Sequence, residues 1–231
     1  MSLAGVHPLA PSLDSIGPMA ADVAGLVRGM ALLEPGFGVG VPGSVRIGRV
    51  RLPADPVVDR AVDNALRSSE FEVVEVSLPG WEAASTAALT LLEAEAWASD
   101  HELVERHPES IGADVLARLH QGREHSPAQL VAARRVADTW RASLAELLLD
   151  VDLIAAPTLL GCPPRLEDAA TMGKIRGLLV QVNLVGLPAL ALPVRADEQP
   201  VPASLQLIGP HNSEAQLLET GLVIEAAGVA S

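Results

Sequence analysis

Few side chains in this 231-residue sequence have the type and surroundings that covalent chemistry needs. Ser12 and Asp14 lie in a segment dense in glycine, proline, serine and aspartate, residues 5–20, which predicts a shaped loop rather than a helix or central strand. A serine hydroxyl is a weak nucleophile until a positioned base accepts its proton. The G-x-S-x-G elbow that presents such a serine is absent. We therefore interpret Ser12 as a turn or cap residue and Asp14 as an Asx-turn residue that shapes the loop.

The remaining candidates are one cysteine, one lysine and the histidines. Cys162 would be a nucleophile only beside a histidine, and we interpret it as a small buried or loop cysteine. Lys174 lies near a predicted helix start and is interpreted as a solvated helix residue rather than a base. His120 and His125 are five residues apart, not the four of a helical metal-binding pair. We expect no metal and no cofactor.

Composition excludes several classes of function. Apolar residues make up 49% of the chain and charged residues 19%, which indicates a globular protein. The net charge of −13 argues against binding to nucleic acid, which needs a basic face, and against binding to anionic membranes. The most apolar segment, residues 178–194, is interrupted by Gln181, Asn183 and two prolines, which argues against a membrane span. A single cysteine excludes an intrachain disulfide and fits a reducing compartment, so we expect a cytoplasmic protein.

Local patterns predict an α/β fold. Apolar spacing indicates a helix over residues 20–33, and alternation indicates strands at 45–51 and 71–78. Asp55 and Pro56 have the types favoured at the start of a helix, so these two strands enclose a helix and should be parallel. Further helices are predicted at residues 82–107, 113–121, 126–149, 171–184 and 213–228, and further strands at 152–156, 187–194 and 202–208. Ser126 with Gln129, and Ser213 with Gln216, have the spacing of capping boxes.

Five segments resemble motifs of the amidase signature family. The first is the opening block, GVHPLAPSLDSIGPMA at residues 5–20, which resembles the segment that follows the family's nucleophile loop. The others follow in the family's order: DLIAAPT at 152–158, NLVGLPALALP at 183–193, PASLQLIG at 202–209 and ExxLL at 214–218. Each motif alone is weak, but five in order are specific. One departure is Pro200-Val201-Pro202, where the family usually has Gly-Leu-Pro.

The resemblance implies hydrolysis of carboxamide C–N bonds through a serine acyl-enzyme. In the family, a second serine and a neutral lysine activate the nucleophile, and backbone N–H groups of a Gly-Ser-rich loop hold the oxyanion. These catalytic residues precede the opening block, and this sequence has no Gly-Gly-Ser-Ser run. We therefore expect residues 4–231 to be the C-terminal portion of an amidase domain, with part of its mixed sheet covered by helices. Residues 1–3 fit the pattern less well and are interpreted as a cloning remnant. We expect the chain alone to hold no catalytic residue and to be inactive.

The same resemblance places six residues at the wall of a substrate pocket: Ser12, Asp14, Thr158, Leu159, Leu160 and Cys162. The expected partner is an N-terminal half that carries the catalytic residues. Exposed core surface and bare sheet edges also predict self-association. Two other interpretations stay open: a naturally truncated protein that binds or scaffolds without catalysis, and the amidase subunit of a tRNA-dependent amidotransferase, which the acidity disfavours.

Overall fold

The sheet is mixed and five-stranded, with the strand order β2-β1-β3-β5-β4. The computed structural model describes residues 5–41, 43–165, 167, 179–197 and 199–229. The strands are β1 (Arg46–Val50), β2 (Glu72–Val76), β3 (Leu153–Pro157), β4 (Ala189–Val194) and β5 (Ala203–Ile208). The helices are α1 (Val23–Leu33), α2 (Pro56–Ser68), α3 (Trp81–Arg106), α4 (Ala113–Arg123), α5 (Pro127–Asp150), α6 (Leu179–Asn183) and α7 (Glu214–Val229), with a 3₁₀ turn at Pro108–Ser110. Strands β1, β2 and β3 run parallel, and β5 is antiparallel to both β3 and β4.

The predicted strand–helix–strand unit is confirmed, because β1 and β2 pair in parallel and α2 connects them. The predicted start of α2, with Pro56 as its first residue, is confirmed as well. Asp55 occupies the N-cap position, but its side chain makes no capping hydrogen bond. Its backbone N–H instead donates to the carbonyl oxygen of Leu160 at 2.7 Å. The start of α2 is thus held by the chain that leaves β3, a contact distant in sequence.

Helices cover both faces of the sheet. On what we call the first face, α3, α5 and α6 pack over Ile154, Ala156 and Ile208. On the second face, α1, α2 and α7 pack over side chains that include Leu153 and Leu205. Because successive strand residues point to opposite faces, β3 is buried on both, and its sequence is a continuous apolar run. Within the described residues, the helices include no stretch long and apolar enough to cross a membrane.

Helix α5 begins where its capping residues predict. The side chain of Ser126 accepts from the N–H of Gln129, and the Gln129 side chain bonds back to Ser126, so the capping box of α5 is confirmed. Helix α4 packs very closely on α3 at Gly122, where a Cβ atom would clash with the carbonyl oxygen of Glu93. Trp140 of α5 donates from Nε1 to the carbonyl of Gln181, at 3.0 Å, and so fixes α6 against the first face.

Two predicted strand and helix ends differ from the structure. Pro157 was expected to end the strand, but it belongs to β3 and pairs with Leu205. Proline is tolerated there because the pairing of β3 with β1 ends at Ala155, so residue 157 owes no ladder hydrogen bond on that side. Gly228 was expected to end α7, but the helix continues to Val229. Gly228 is not among the glycines with positive φ, so it does not adopt the left-handed conformation that ends many helices.

The predicted helix over residues 171–184 is only partly testable. Its described part, Leu179–Asn183, is helical. Lys174 lies outside the described residues.

Candidate functional site

The opening block folds into a turn that Asp14 holds together. The N–H groups of Leu13 and Asp14 both donate to the carbonyl of Ala10, at 2.8 Å. The carboxylate of Asp14 accepts from the N–H groups of Leu9 and Ala10, at 3.0 and 3.1 Å. Asp14 therefore shapes the loop, as its residue type indicates, although it binds residues that precede it rather than the residue two positions on.

Ser12 is tied to helix α3 by two bonds to one carboxylate. Its hydroxyl donates to Oε1 of Glu95 at 2.5 Å, and its backbone N–H donates to Oε2 at 2.8 Å. This pair of hydrogen bonds to Glu95 holds the opening loop on α3. This bonding fits the interpretation of Ser12 as a turn residue.

A cavity of about 510 Å³ lies between the opening loop, α1, α6, the start of β4 and the start of α7. This volume falls within the range typical of small-molecule sites. Asn183, at the end of α6, closes one side, because its Nδ2 donates to the carbonyl of Leu13 at 3.0 Å and to the hydroxyl of Ser15 at 3.5 Å. The next turn contains Gly186, whose φ of +68° is a conformation that glycine adopts without strain. The chain can therefore turn sharply from α6 into β4 along the rim of the cavity.

The walls of the cavity are mostly apolar, with a few polar groups. Leucine, methionine, valine and proline side chains contribute most of the lining, together with Ser12, Asp14, Ser15, Asn183, Gln206 and Glu214. Among the described residues that line it there is no arginine, lysine or histidine. The cavity therefore suits a neutral or cationic ligand better than an anion.

Four of the five family-like segments meet at this cavity. The opening block, the segment that begins at Asn183, the strand that carries Gln206 and the start of α7 all contribute lining residues. Asn183 and Gln206 lie within the segments that resemble the family, but sequence reasoning did not single them out as site residues. The signal was that each has a polar amide side chain within a mostly apolar motif.

The other predicted wall residues lie elsewhere. Thr158, Leu159, Leu160 and Cys162 follow β3 and are not among the residues that line the cavity. Thr158 is buried against β5, where its N–H donates to the carbonyl of Ser204 at 2.9 Å and its hydroxyl accepts from the Ser204 hydroxyl at 2.8 Å. The half-buried side chain of Leu160 packs on the first face of the sheet. The structure thus separates the six predicted residues into two groups.

Cys162 is a poor nucleophile in this environment. Its half-buried side chain packs against the core on the second face. Burial, together with the negative charge of Asp55, raises the pKa of the Cys162 thiol. Because the thiolate is the reactive form, the raised pKa keeps the group protonated and unreactive at neutral pH.

Two of the histidines each contact a single carboxylate. His125 Nε2 lies 2.7 Å from a carboxylate oxygen of Glu93, and His7 Nε2 lies 2.8 Å from one of Asp100. Within the part of the chain that the structure describes, no three metal-ligating side chains converge.

A network of four paired charges lies away from the cavity, between β1 and α2. The guanidinium of Arg49, which is 2% exposed, bonds Asp59 and Asp63, and Arg51 bonds the same two carboxylates. Burial raises the pKa of Asp63, but the hydrogen bonds and charges of Arg51 and Arg49 outweigh it, so this pKa lies below its ordinary value. The hydrogen bond to Asp63 raises the pKa of Arg51 above its usual value. Every charge here has a partner, so this cluster holds the fold and offers no open group for chemistry.

Comparison with known proteins identifies the family. The family model named Amidase matches residues 38–218. The chain belongs to the amidase signature family. A 2-amino-5-chloromuconic acid deaminase from Comamonas testosteroni is 31% identical over 247 residues, which cover 96% of this chain and 53% of the relative. A subunit of the glutamyl-tRNA(Gln) amidotransferase from Akkermansia muciniphila is 27% identical and is matched over 95% of this chain and 58% of its own length.

Solved structures show the same fold. A crystal structure of an amidase superimposes with a TM-score of 0.85 at 24% identity, over 97% of this chain and 55% of that protein. The mixed α/β fold expected from the resemblance is therefore confirmed. The chain spans about half the length of the curated relatives it matches.

Proposed function

We propose that this chain provides one wall of the active site in a hydrolase that cleaves carboxamide C–N bonds. The observation that carries the proposal is the convergence of four amidase-like segments on one mostly apolar cavity that lacks cationic lining groups in the described residues. A carboxamide is neutral, and such a cavity accepts it without the cost of burying an unpaired charge.

In the proposed reaction, the nucleophile and its relay come from polypeptide outside residues 1–231. A serine oxygen attacks the carbonyl carbon, its proton passes through the second serine and the lysine to the leaving nitrogen, and the C–N bond breaks. Water then hydrolyses the acyl ester and regenerates the serine. The described residues at the cavity support this division, because Ser12 already donates to Glu95 and Cys162 lies elsewhere.

The test is reconstitution. We would express this chain and the N-terminal half of an amidase separately, mix them, and assay the release of ammonia or amine from a panel of simple amides. We expect activity only in the mixture, and complex formation on a sizing column. Robust amidase activity from this chain alone that a serine-directed inhibitor abolishes would contradict the proposed division. The absence of both complex and activity would favour a non-catalytic role.

A second candidate is the amidase subunit of a tRNA-dependent amidotransferase. The relatives named as subunits of glutamyl-tRNA(Gln) amidotransferases favour it. The net charge of −13 weighs against a surface that contacts tRNA directly. Copurification with partner subunits, measured by mass spectrometry of the affinity-purified protein, distinguishes this candidate from a free-standing amidase.

A further inference from the structure

Glu214 is the first residue of α7, and it lines the cavity. The start of this helix is fixed, because the Ser213 hydroxyl donates to the carbonyl of Pro210 at 2.7 Å and the Ser213 carbonyl accepts from the N–H of Leu217 at 2.9 Å. A Cβ atom on Gly209, which directly follows β5, would lie 2.1 Å from the Ser213 hydroxyl oxygen. Only glycine lets α7 begin this close to the strand. The backbone of Glu214 is therefore held in one place at the cavity wall.

The carboxylate of Glu214 forms no hydrogen bond or ion pair within the part of the chain that the structure describes. The residue is partly buried but keeps accessible surface, so a ligand in the cavity can reach it. Two other glutamates of α7 are engaged. Glu219 accepts from the N–H of Gly40 at 2.5 Å. Glu225 accepts from the N–H of Val23 at 3.2 Å. These two carboxylates hold other segments of the chain, whereas that of Glu214 is a partly desolvated charge without a partner in the described chain.

The other polar groups of the lining leave an acceptor open and supply no cation. Asp14 already accepts two backbone N–H groups, and the amide oxygen of Gln206 has almost no accessible surface. The Asn183 nitrogen donates to the carbonyl of Leu13, which leaves the Asn183 side-chain oxygen as an acceptor. An ammonium group has three N–H donors and no acceptor, so it complements the free oxygens of Glu214 and Asn183. The described lining holds no arginine, lysine or histidine that would repel it.

We propose that Glu214 is a specificity-determining residue, whose carboxylate pairs with an ammonium group of the substrate. This inference rests on the proposed function and names the class of amide that the cavity takes: a carboxamide whose apolar chain ends in a protonated amine. The apolar walls cover the methylene groups, and the carboxylate neutralises the charge at their end. An anionic substituent would instead meet two acidic residues, Asp14 and Glu214.

The N-terminus of α7 does not oppose this pairing. A helix N-terminus favours negative charge, and the carboxylate of Glu214 itself provides that charge. A glutamate that only stabilised the helix in this way would leave the affinity for ligands unchanged on substitution. The two roles therefore differ in a measurable quantity.

The experiment measures ligand binding, not turnover, on the full chain. Nitrogen-15 spectra would be recorded during titration with 4-aminobutanamide, a cation at neutral pH, or with pentanamide, which has a methyl group in place of the ammonium. Glutaramate, which has a carboxylate at the same end, completes the set. We expect 4-aminobutanamide to shift the resonances of cavity residues and to bind about three- to tenfold more tightly than pentanamide, the gain of one charged, partly exposed pair. Glutaramate should bind more weakly than pentanamide, and added salt should reduce the advantage of the cation.

Variants then assign the preference to one side chain. Glu214→Gln keeps the size of the side chain but removes its charge, so it should bind 4-aminobutanamide and pentanamide about equally. Glu82→Gln is the matched control, because Glu82 lies exposed in the first turn of α3 and does not line the cavity. This variant should keep the preference. The comparison of the three ligands in the unsubstituted chain does not depend on whether either variant folds.

Three results would overturn the inference: equal affinity for 4-aminobutanamide and pentanamide, an unchanged preference in Glu214→Gln, or no movement of cavity resonances with 4-aminobutanamide. The second result would show that Glu214 acts only on the helix. Amide hydrolysis by the reconstituted halves with no preference for amino-substituted amides would keep the proposed function and remove this role of Glu214. Failure of reconstituted activity would count against the proposed function but would leave the binding results unaffected.

Discussion

The two halves of the sheet satisfy their buried polar groups to different degrees. In the parallel half, β2-β1-β3, the most buried charge is Arg49, and its guanidinium is bonded to Asp59, Asp63 and the carbonyl of Val50. In the antiparallel half, β5 and β4, the buried amide oxygen of Gln206 has no partner in the described chain. The buried charge of the first half is fully partnered, whereas the second half has a buried acceptor with no donor in the described chain.

An inner strand of the first half and the edge strand of the second differ as well. Strand β1 is paired on both sides, by β2 and β3, and α2 closes its second face. Strand β4 ends the sheet, and Ala189, Ala191 and Pro193 on one of its faces are exposed. An open edge with small exposed side chains is a template for further pairing. The cavity of the proposed function is lined from the second half, by β4 and Gln206 of β5, and not from β1 or β2.

The largest expected effect on stability comes from removing the buried cation of the parallel half. Arg49→Ala leaves Asp59 and Asp63 with one cation in place of two and opens a gap in the core, so the free energy of unfolding should fall by about 3 kcal/mol. Urea denaturation followed by circular dichroism measures the change. Arg46→Ala is the control: Arg46 is 49% exposed and pairs with an exposed Glu72, so its loss should cost less than about 1 kcal/mol. Equal losses for the two variants would contradict the distinction between the halves.

The next largest effect is a difference in amide hydrogen-exchange rates between the two halves of the sheet. Every second amide of β4 points away from β5, and these should exchange at least about tenfold faster than the amides of Ile47 and Gly48 in β1. The measurement is native-state exchange by NMR at low protein concentration.

If copies associate through the β4 edge, as the bare edge predicts, the outward-facing amides of β4 should become protected from exchange as protein concentration rises, and light scattering should report the larger species. A monodisperse monomer at all concentrations would rule out this association.

Lowering the pH should reduce the stability that the charge network of the parallel half contributes. The pKa of Asp63 is lowered in the folded protein, so its ionised form contributes stability above about pH 4, and this contribution is lost as the pH falls through the folded-state pKa. Asp63→Asn should therefore lose less stability than the unsubstituted protein between pH 6 and pH 3. Asp138→Asn serves as the control, since Asp138 is 75% exposed and pairs only within its own helix. Thermal unfolding at each pH gives the comparison, and parallel pH profiles for Asp63→Asn and the unsubstituted protein would contradict it.

Sequence reasoning predicted the parallel half well because its signals are local. Alternation identifies β1 and β2, the Asp55–Pro56 pair places the start of α2, and a short connection with a helix requires parallel strands. The same local reasoning placed the capping box at Ser126. The errors, at Pro157 and Gly228, concern single residues at the ends of elements.

The site was harder to predict because it depends on contacts between segments that are distant in the chain. Asn183 contacts Leu13 across 170 positions, and Gln206 meets Ala156 and Ala191 only through the register of three strands. Register is set by tertiary packing, which periodicity does not report. The place of Thr158 at a pocket wall rests on family resemblance alone and stays a prediction; in the structure its hydroxyl accepts from that of Ser204.

The smallest predicted effect has the opposite sign to the first. Gln206→Met removes a buried acceptor that has no partner in the described chain and fills the same space with apolar atoms, so the free energy of unfolding should stay unchanged or rise by up to about 1 kcal/mol. Urea denaturation of the isolated chain measures it, with Gln121→Met as the neutral control. A loss as large as that of Arg49→Ala would mean that the Gln206 amide already has a partner that stabilises the fold. A neutral or stabilising result would mean that the chain keeps a costly polar group for a contact it does not make alone, the pattern expected where stability is given up for function.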